Sequence, residues 1–475
     1  PEVKRTAWDH QIEIAERFNE PGVFTALIGY EWTSWPGGDN LHRVVVFRDS
    51  DDRAGQVLPF SANDSEDPED LWRFLSGYEA STGGRALAIP HNGNLSNGRM
   101  FPRVDFRGDP VDREYAATRA RWEPLVEVTQ IKGDGETHPF LSPDDEFADF
   151  GTWDFGNFQG VPKTDDMLRY EYARAGLKRG LSLEREVGVN PYRFGMIGST
   201  DSHTAIASAE SDNFFGKHSA GMEPSPDRWN TPVGGAGEIV VMGWQMVAAG
   251  YAGVWATENT REAIFDALER REVYATTGPR MILRFFGGWS FDAGDAQASE
   301  IAAVGYDKGV PMGGVLSAKT GAGAPRFLIS AMKDPQHANL DRVQVIKGWL
   351  DADGVSRERV YDVVWSDAGS RRIDGEGRPE PVGNTVDVET ATWEDSIGDP
   401  ALTTVWTDPD FAASEPAFYY VRVLEIPTPR WTLYDAVRYG VELPDEIPVV
   451  VQQRAYSSPI WYEPARSAEF AASVD

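Results

Sequence analysis

Along the first half of the chain the apolar positions change period repeatedly. In PEVKRTAWDHQIEIAERFNEPG, Trp8, Ile12, Ala15 and Phe18 recur at helical spacing, which predicts an amphipathic helix. VFTALIGYEWT reads as a buried strand, Pro36-Gly37-Gly38 as a turn, and LHRVVVFR as a second strand. A helix is predicted over 68–79, a strand in RALAIPH, a helix over 111–121, a strand in LVEVTQIK, and one long helix over 164–186 ahead of RFGMIGSTDSH. Such alternation predicts βαβ units and a mostly parallel sheet or barrel, with chemistry sought at the strand ends.

Residues 204–250 are rich in Gly, Ser and Pro and read as a long inserted loop, of the kind that serves a site or an interface. AGVWAT restores a strand, and Thr260 is placed to cap the helix REAIFDALERR, with Ile264 and Leu268 inward. Beyond YATTGPRMILRFFGGW, short β-rich runs alternate with Gly, Asp and Pro clusters. The division expected is a first domain over 1–284 and an all-β, sandwich-like accessory domain over 285–475. No internal repeat is apparent.

A length of 475 residues agrees with two cores rather than one. Acidic residues outnumber basic ones 75 to 45, a formal charge of −30, so a nucleic-acid backbone is excluded as the expected partner and the charge is read as a solubilising surface. No apolar run reaches the ~18 residues of a membrane span, and the protein is expected to be soluble. Cysteine is absent, so any metal must be held by histidine and carboxylate. Such a chain fits a periplasmic or secreted enzyme, and fits a cytoplasmic one nearly as well. Because the sequence opens on Pro1 rather than methionine, it is read as a cut or processed chain.

Of seven histidines, His42, His91 and His203 fall on or just after predicted strands. Glu31 ends a strand, His42 follows eleven residues later, His91 ends ALAIPH, and Asp201 and His203 end GMIGSTDSH. A mixed imidazole and carboxylate set suits Zn, Mn or Fe and not Ca. On an extended backbone the two side chains of D-x-H point the same way. In the loop KGDGETHP, Lys132 is a candidate for orienting a substrate anion and His138 for acting as an acid or ligand. Asn92 and Asn94 are placed beside His91, and Lys217 and His218 on the inserted loop as a lid. Arg43 is expected to face away as a structural ion-pair partner, and His337 to lie on the surface of the second domain. Neither a phosphate loop nor a nucleophile elbow is present.

The series GYE, a histidine eleven residues on, IPH and STDSH is similar to the later metal motifs of the polymerase and histidinol phosphatase (PHP) superfamily. GYEWTS, EVTQIKGDGETHP, NTREAIFDALERREVYATTGPR and VLEIPTPRWTLYDA resemble a large bacterial PHP-type family of unknown function (DUF3604-like), over essentially the whole chain. The resemblance implies an α/β fold, a distorted (β/α)7 TIM-like barrel incomplete at its N-terminus, holding two or three divalent ions and hydrolysing phosphoesters. By position, Glu31 would be the carboxylate shared between metals, with His42, His91, Asp201 and His203 as further ligands; Glu31, Asp201 and His138 would be catalytic, and Lys132, Asn92 and Lys217 would meet a small anionic ester. The superfamily's first motif, H-x-H, is missing, and His10 on the first helix does not replace it, so an upstream segment or a second chain is expected to complete the barrel. Sulfate-ester hydrolysis, amidohydrolase-type chemistry and a non-catalytic binding role are the alternatives.

Overall fold

A computed structural model describes residues 2–206, 208–218, 221–321 and 323–465. The chain divides into two compact units, Pro1–Ala209 with Asn213–Ala275, and Glu210–Asp212 with Thr276–Asp475.

In the first unit, α1 (Glu2–Phe18) precedes β1 (Ile28–Trp32), β2 (Arg43–Phe47), α2 (Asp51–Ala54), α3 (Pro68–Thr82) and β3 (Ala86–Pro90). The three strands form one sheet in the order β1-β2-β3, and both pairings are antiparallel. Helix α3 shows why local sequence makes the element. Asp67 accepts from the Glu69 amide at 2.9 Å, Pro68 opens the first turn, and Gly83 closes it with φ 68°. Its Leu71, Trp72, Leu75 and Tyr78 join Trp8 and Ile12 of α1 and Ile28, Trp32, Val45 and Phe47 of the sheet in a single apolar core.

Next come α4 (Arg113–Trp122), β4 (Leu125–Gln130), β5 (Gly133–Asp134), α5 (Asp165–Leu168), α6 (Ala173–Val187) and β6 (Gly195–Gly198). Here β4 and β6 are parallel, with α6 in the crossover, and β5 pairs antiparallel on β4. The long helix expected over 164–186 is two helices. Tyr172 is extended at φ −98° and ψ 141° ahead of α6, and the break lets buried Glu171 take Lys163 Nζ at 2.6 Å and the Gly98 amide at 3.0 Å. The unit ends with the hairpin β7 (Pro232–Ala236) and β8 (Ile239–Met242), then β9 (Tyr251–Val254), α7 (Arg261–Glu269) and β10 (Val273–Thr276). The stretch 204–250, expected as loop, thus carries a hairpin; its residues 207, 219 and 220 lie outside the described ones.

This is a mixed α/β architecture, but not the mostly parallel one expected. Alternation of helix and strand does not encode strand direction, and the short β1–β2 connection favours an antiparallel pair, since parallel neighbours need a crossover of about a dozen residues or more. Among the described residues the sheets β1-β2-β3 and β5-β4-β6 remain separate ladders and close no barrel.

The second unit is β-rich. Ile282–Gly288, Arg326–Met332 and Ala401–Thr407 run antiparallel in one sheet, and Leu340–Leu350 pairs antiparallel with both Ser356–Trp365 and Ala417–Glu425 in another. It is not all-β: Ile301–Lys308 and Trp431–Tyr439 are helices, the latter burying Trp431 and Leu433 and ending on Gly440 at φ 65°. His337 is not a surface residue either. Its Nδ1 lies 2.6 Å from Glu425 Oε2; burial pushes the imidazole pKa down, and the Glu425 carboxylate more than offsets that, leaving it raised.

One seven-residue turn is used three times, at 104–110, 156–162 and 373–379, each closed by a bridge to a proline. Asp105, Asn157 and Asp374 each accept, through Oδ1, the amides two and four residues on. In the second copy Gly160 has φ 78°, and a Cβ there would meet the Ala236 carbonyl oxygen at 2.6 Å, so the pattern needs glycine on two counts.

Candidate metal centre

The antiparallel sheet explains why residues far apart in sequence meet. Arg43, the first residue of β2, pairs with Trp32 on one side and Pro90 on the other, so one end of the sheet gathers the end of β1, the start of β2 and the end of β3. Glu31, His42 and His91 occupy these three positions. Glu31 Oε1 is 2.8 Å from His42 Nδ1 and 2.9 Å from His91 Nε2, and the two rings stand edge to face, 5.5 Å apart. One ligand atom of each residue lies within 4.8 Å of the others, which makes the trio a candidate metal centre.

Burial pushes the Glu31 carboxyl up, but the hydrogen bonds from His42 and His91 together outweigh it and hold the group well below the usual carboxylate range. Burial dominates at His42 and takes its imidazole down to about 4, against the Glu31 bond. The trio therefore presents a carboxylate and a neutral imidazole at neutral pH, the protonation states that bind metal. His91 is almost wholly enclosed, its side chain 3% exposed, and its Nδ1 is a buried polar atom with no protein partner, which is rare unless something else meets it. The donor set, two imidazoles and a carboxylate, fits a divalent ion of the Zn, Mn or Fe type.

Asp201 and His203 stand differently. Asp201 is in the left-handed region at φ 48°, so the extended D-x-H geometry is absent. Its Oδ2 receives the ammonium of Lys132 and that of Lys217, the latter at 2.6 Å. Burial raises the Asp201 carboxyl, but the two lysines outweigh it and hold it down; burial and the neighbouring Lys132 bring Lys217 down to about 8. His203 Nδ1 donates to the Asp201 carbonyl at 2.8 Å, and its ring lies 5.0 Å from that of His218.

Asn92, at φ 51°, accepts from Gln130 Nε2 at 2.9 Å, and Asn94 donates to the Lys132 carbonyl at 3.0 Å. His138 Nε2 lies 3.2 Å from Asp154 Oδ2, while its Nδ1 accepts the Phe140 amide. Arg43 faces away from the centre, as expected, with Nε 3.0 Å from Glu123 Oε1. Sequence reasoning passed over Glu127 of β4, which is buried, bonded by the Ser199 hydroxyl at one oxygen and without a partner at the other; burial raises its carboxyl. An acid inside the apolar run LVEVT was the available signal. Also unforeseen is a cavity of about 200 Å³ that His42 shares with Lys132 and Lys217.

These features define an α/β unit with a two-histidine, one-carboxylate centre at the edge of an antiparallel sheet and a lysine-held aspartate beside it. The chain belongs to the family described as Protein of unknown function (DUF3604), which matches residues 1–464. No curated protein matches it in sequence.

Proposed function

We propose that the protein is a metal-dependent hydrolase of small anionic esters, a phosphoesterase using two or three divalent ions on an open scaffold related to the (β/α)7 barrel. The observation that carries this reading is the Glu31, His42 and His91 trio, with its donor atoms converging and its electrostatics already set for metal. Bound metal would supply a water acidified to near neutral pH and a charge to polarise the ester oxygens. The chain's own part is to hold Glu31 as the shared carboxylate with His42 and His91 beside it. Asp201 and His203 are the further ligands of the proposal. Lys132 and Lys217 attract the anionic head and Asn92 braces the loop after His91. His138, oriented by Asp154, is the proposed acid. Among the described residues no helix is long and apolar enough to cross a membrane.

The deciding experiment measures bound metal and product release from 4-nitrophenyl phosphate, 4-nitrophenyl sulfate and a 4-nitroanilide. Chelator-sensitive phosphate release is expected, falling about tenfold or more in Asp201→Ala. Full activity in that variant would remove Asp201 from the centre. Turnover confined to the sulfate or the anilide would make the enzyme a sulfatase or an amidohydrolase, and substoichiometric metal with no turnover would leave a binding protein.

A further inference from the structure

The cavity beside His42 is lined by two dissimilar sets of side chains. One carries cations: Lys132 and Lys217 converge on a single oxygen of Asp201, so two ammonium groups face one carboxylate and an excess positive charge is available to an anion. The other is apolar: Trp153, Phe158, Met222 and Met246. Asn40 is the one uncharged polar side chain among its lining residues besides the histidines, and its Oδ1 already accepts the His42 amide at 3.1 Å.

That wall is preformed. Trp153 is 2% exposed and anchored through Nε1 to the Gln245 carbonyl at 2.8 Å. Phe158 follows Asn157, the wholly buried first acceptor of the seven-residue turn, whose Nδ2 donates to Asp39 Oδ1 at 2.8 Å. A Cβ on Gly234 would stand 2.8 Å from the Phe158 ring, so the hairpin β7–β8 lies tight against that ring. Met222 and Met246 add polarizable thioethers that suit an aromatic guest.

Resting on the hydrolase reading and sharpening it, we propose that the substrate is an anionic ester of a compact, apolar alcohol of about the size of a phenol. The tetrahedral oxyanion meets Lys132 and Lys217 and the apolar group lies between Phe158, Trp153 and the two methionines. Volume supports one ring and little more, because an apolar cavity of about 150 Å³ takes up benzene and this one is about 200 Å³. A sugar or polyol ester fits poorly, since each hydroxyl pressed against this wall would lose a hydrogen bond to water and gain none.

Binding, independent of turnover, tests the idea. Titration calorimetry of the full chain as isolated would compare phenylphosphonate with methylphosphonate, neither of which carries an ester to cleave. A preference for the phenyl compound of roughly tenfold or more is expected from the extra apolar area buried. Phe158→Ala and, separately, Met222→Ala should each erode that preference while leaving methylphosphonate affinity within about twofold, which also reports that the site is folded. Lys217→Gln should weaken both ligands alike. Equal affinity for the two phosphonates, or a preference untouched by both wall variants, overturns the proposal. If phenylphosphonate is preferred but no ester is hydrolysed, the hydrolase reading fails and the shape of the ligand stands. If aryl and alkyl phosphates turn over with equal kcat/KM and bind equally, the reverse holds.

Discussion

His91→Ala protein is expected to leave purification with its metal lost, and to show no thermal stabilisation when Zn, Mn or Fe is added back. His91 supplies one of three converging donors and is the most enclosed of them, so its loss leaves two donors, one of which, Glu31, is open to water at 31% side-chain exposure. Ligand present at a hundred times its dissociation constant stabilises a folded protein by about 2.7 kcal/mol, so the wild type should gain several degrees with metal and the variant none. Elemental analysis after dialysis, together with thermal unfolding with and without metal, provides readouts that do not depend on knowing the substrate. His42→Ala serves as the control for packing, because His42 is more open than His91 and should lose metal with less effect on the metal-free midpoint. If either variant retains the full metal content of the wild type, the trio is not the centre.

The second large effect concerns what holds the sheet end in place. Glu123, just after α4, binds Arg43 at 3.0 Å and Trp72 Nε1 at 3.0 Å through Oε1, while Arg119 lies 3.0 Å from Oε2. All three charged side chains are 1–2% exposed. Burial opposes the Glu123 charge, and the two guanidiniums overcome it and hold the carboxyl down. Glu123→Ala would strand two buried cations, and breaking a buried pair costs about 3–5 kcal/mol, a large part of the roughly 5–15 kcal/mol that keeps a domain folded. Urea unfolding of the first unit should show that drop. The triple replacement Arg43→Met, Arg119→Met, Glu123→Leu should restore most of it, because removing all the charges removes the stranded ones. A drop below about 1 kcal/mol in Glu123→Ala would mean that water reaches the arginines. Arg43 adjoins His42 and opens β2, so this network also fixes the backbone from which His42 is presented.

Much of the candidate metal centre was legible in the amino-acid sequence. Glu31, His42 and His91 each stand at one end of a strongly apolar run, but Glu31 and His91 close β1 and β3 while His42 stands just ahead of β2, so the three meet only because both pairings are antiparallel. The residue types and their strand-end positions were legible, and the strand direction that brings them together was not. Asp201 was equally conspicuous in sequence, but its backbone is left-handed and its carboxylate is claimed by Lys132 and Lys217, partners 69 and 16 residues away that no local pattern connects to it. The cavity wall was invisible for the same reason. Trp153, Phe158, Met222 and Met246 lie in stretches of weak periodicity, placed by an asparagine-centred turn and a hairpin rather than by a helix or strand face. That turn left a short trace, Asp or Asn with Gly three and Pro five residues on, repeated at Asp105, Asn157 and Asp374, and it is too sparse to read without the hydrogen bonds that give it meaning.

By itself the sequence determined the locally encoded features: the capped helix α3, the buried strands, the need for histidine and carboxylate in place of thiolate, and the three residues poised at strand ends. These depend on residue type and on spacing within one element, which short-range sterics and burial decide. Strand direction, the lysine pair on Asp201, the break before α6 and the mixed lining of the cavity were decided only by the tertiary structure. Each depends on which distant segment arrives alongside, and that is settled by the packing of the whole core.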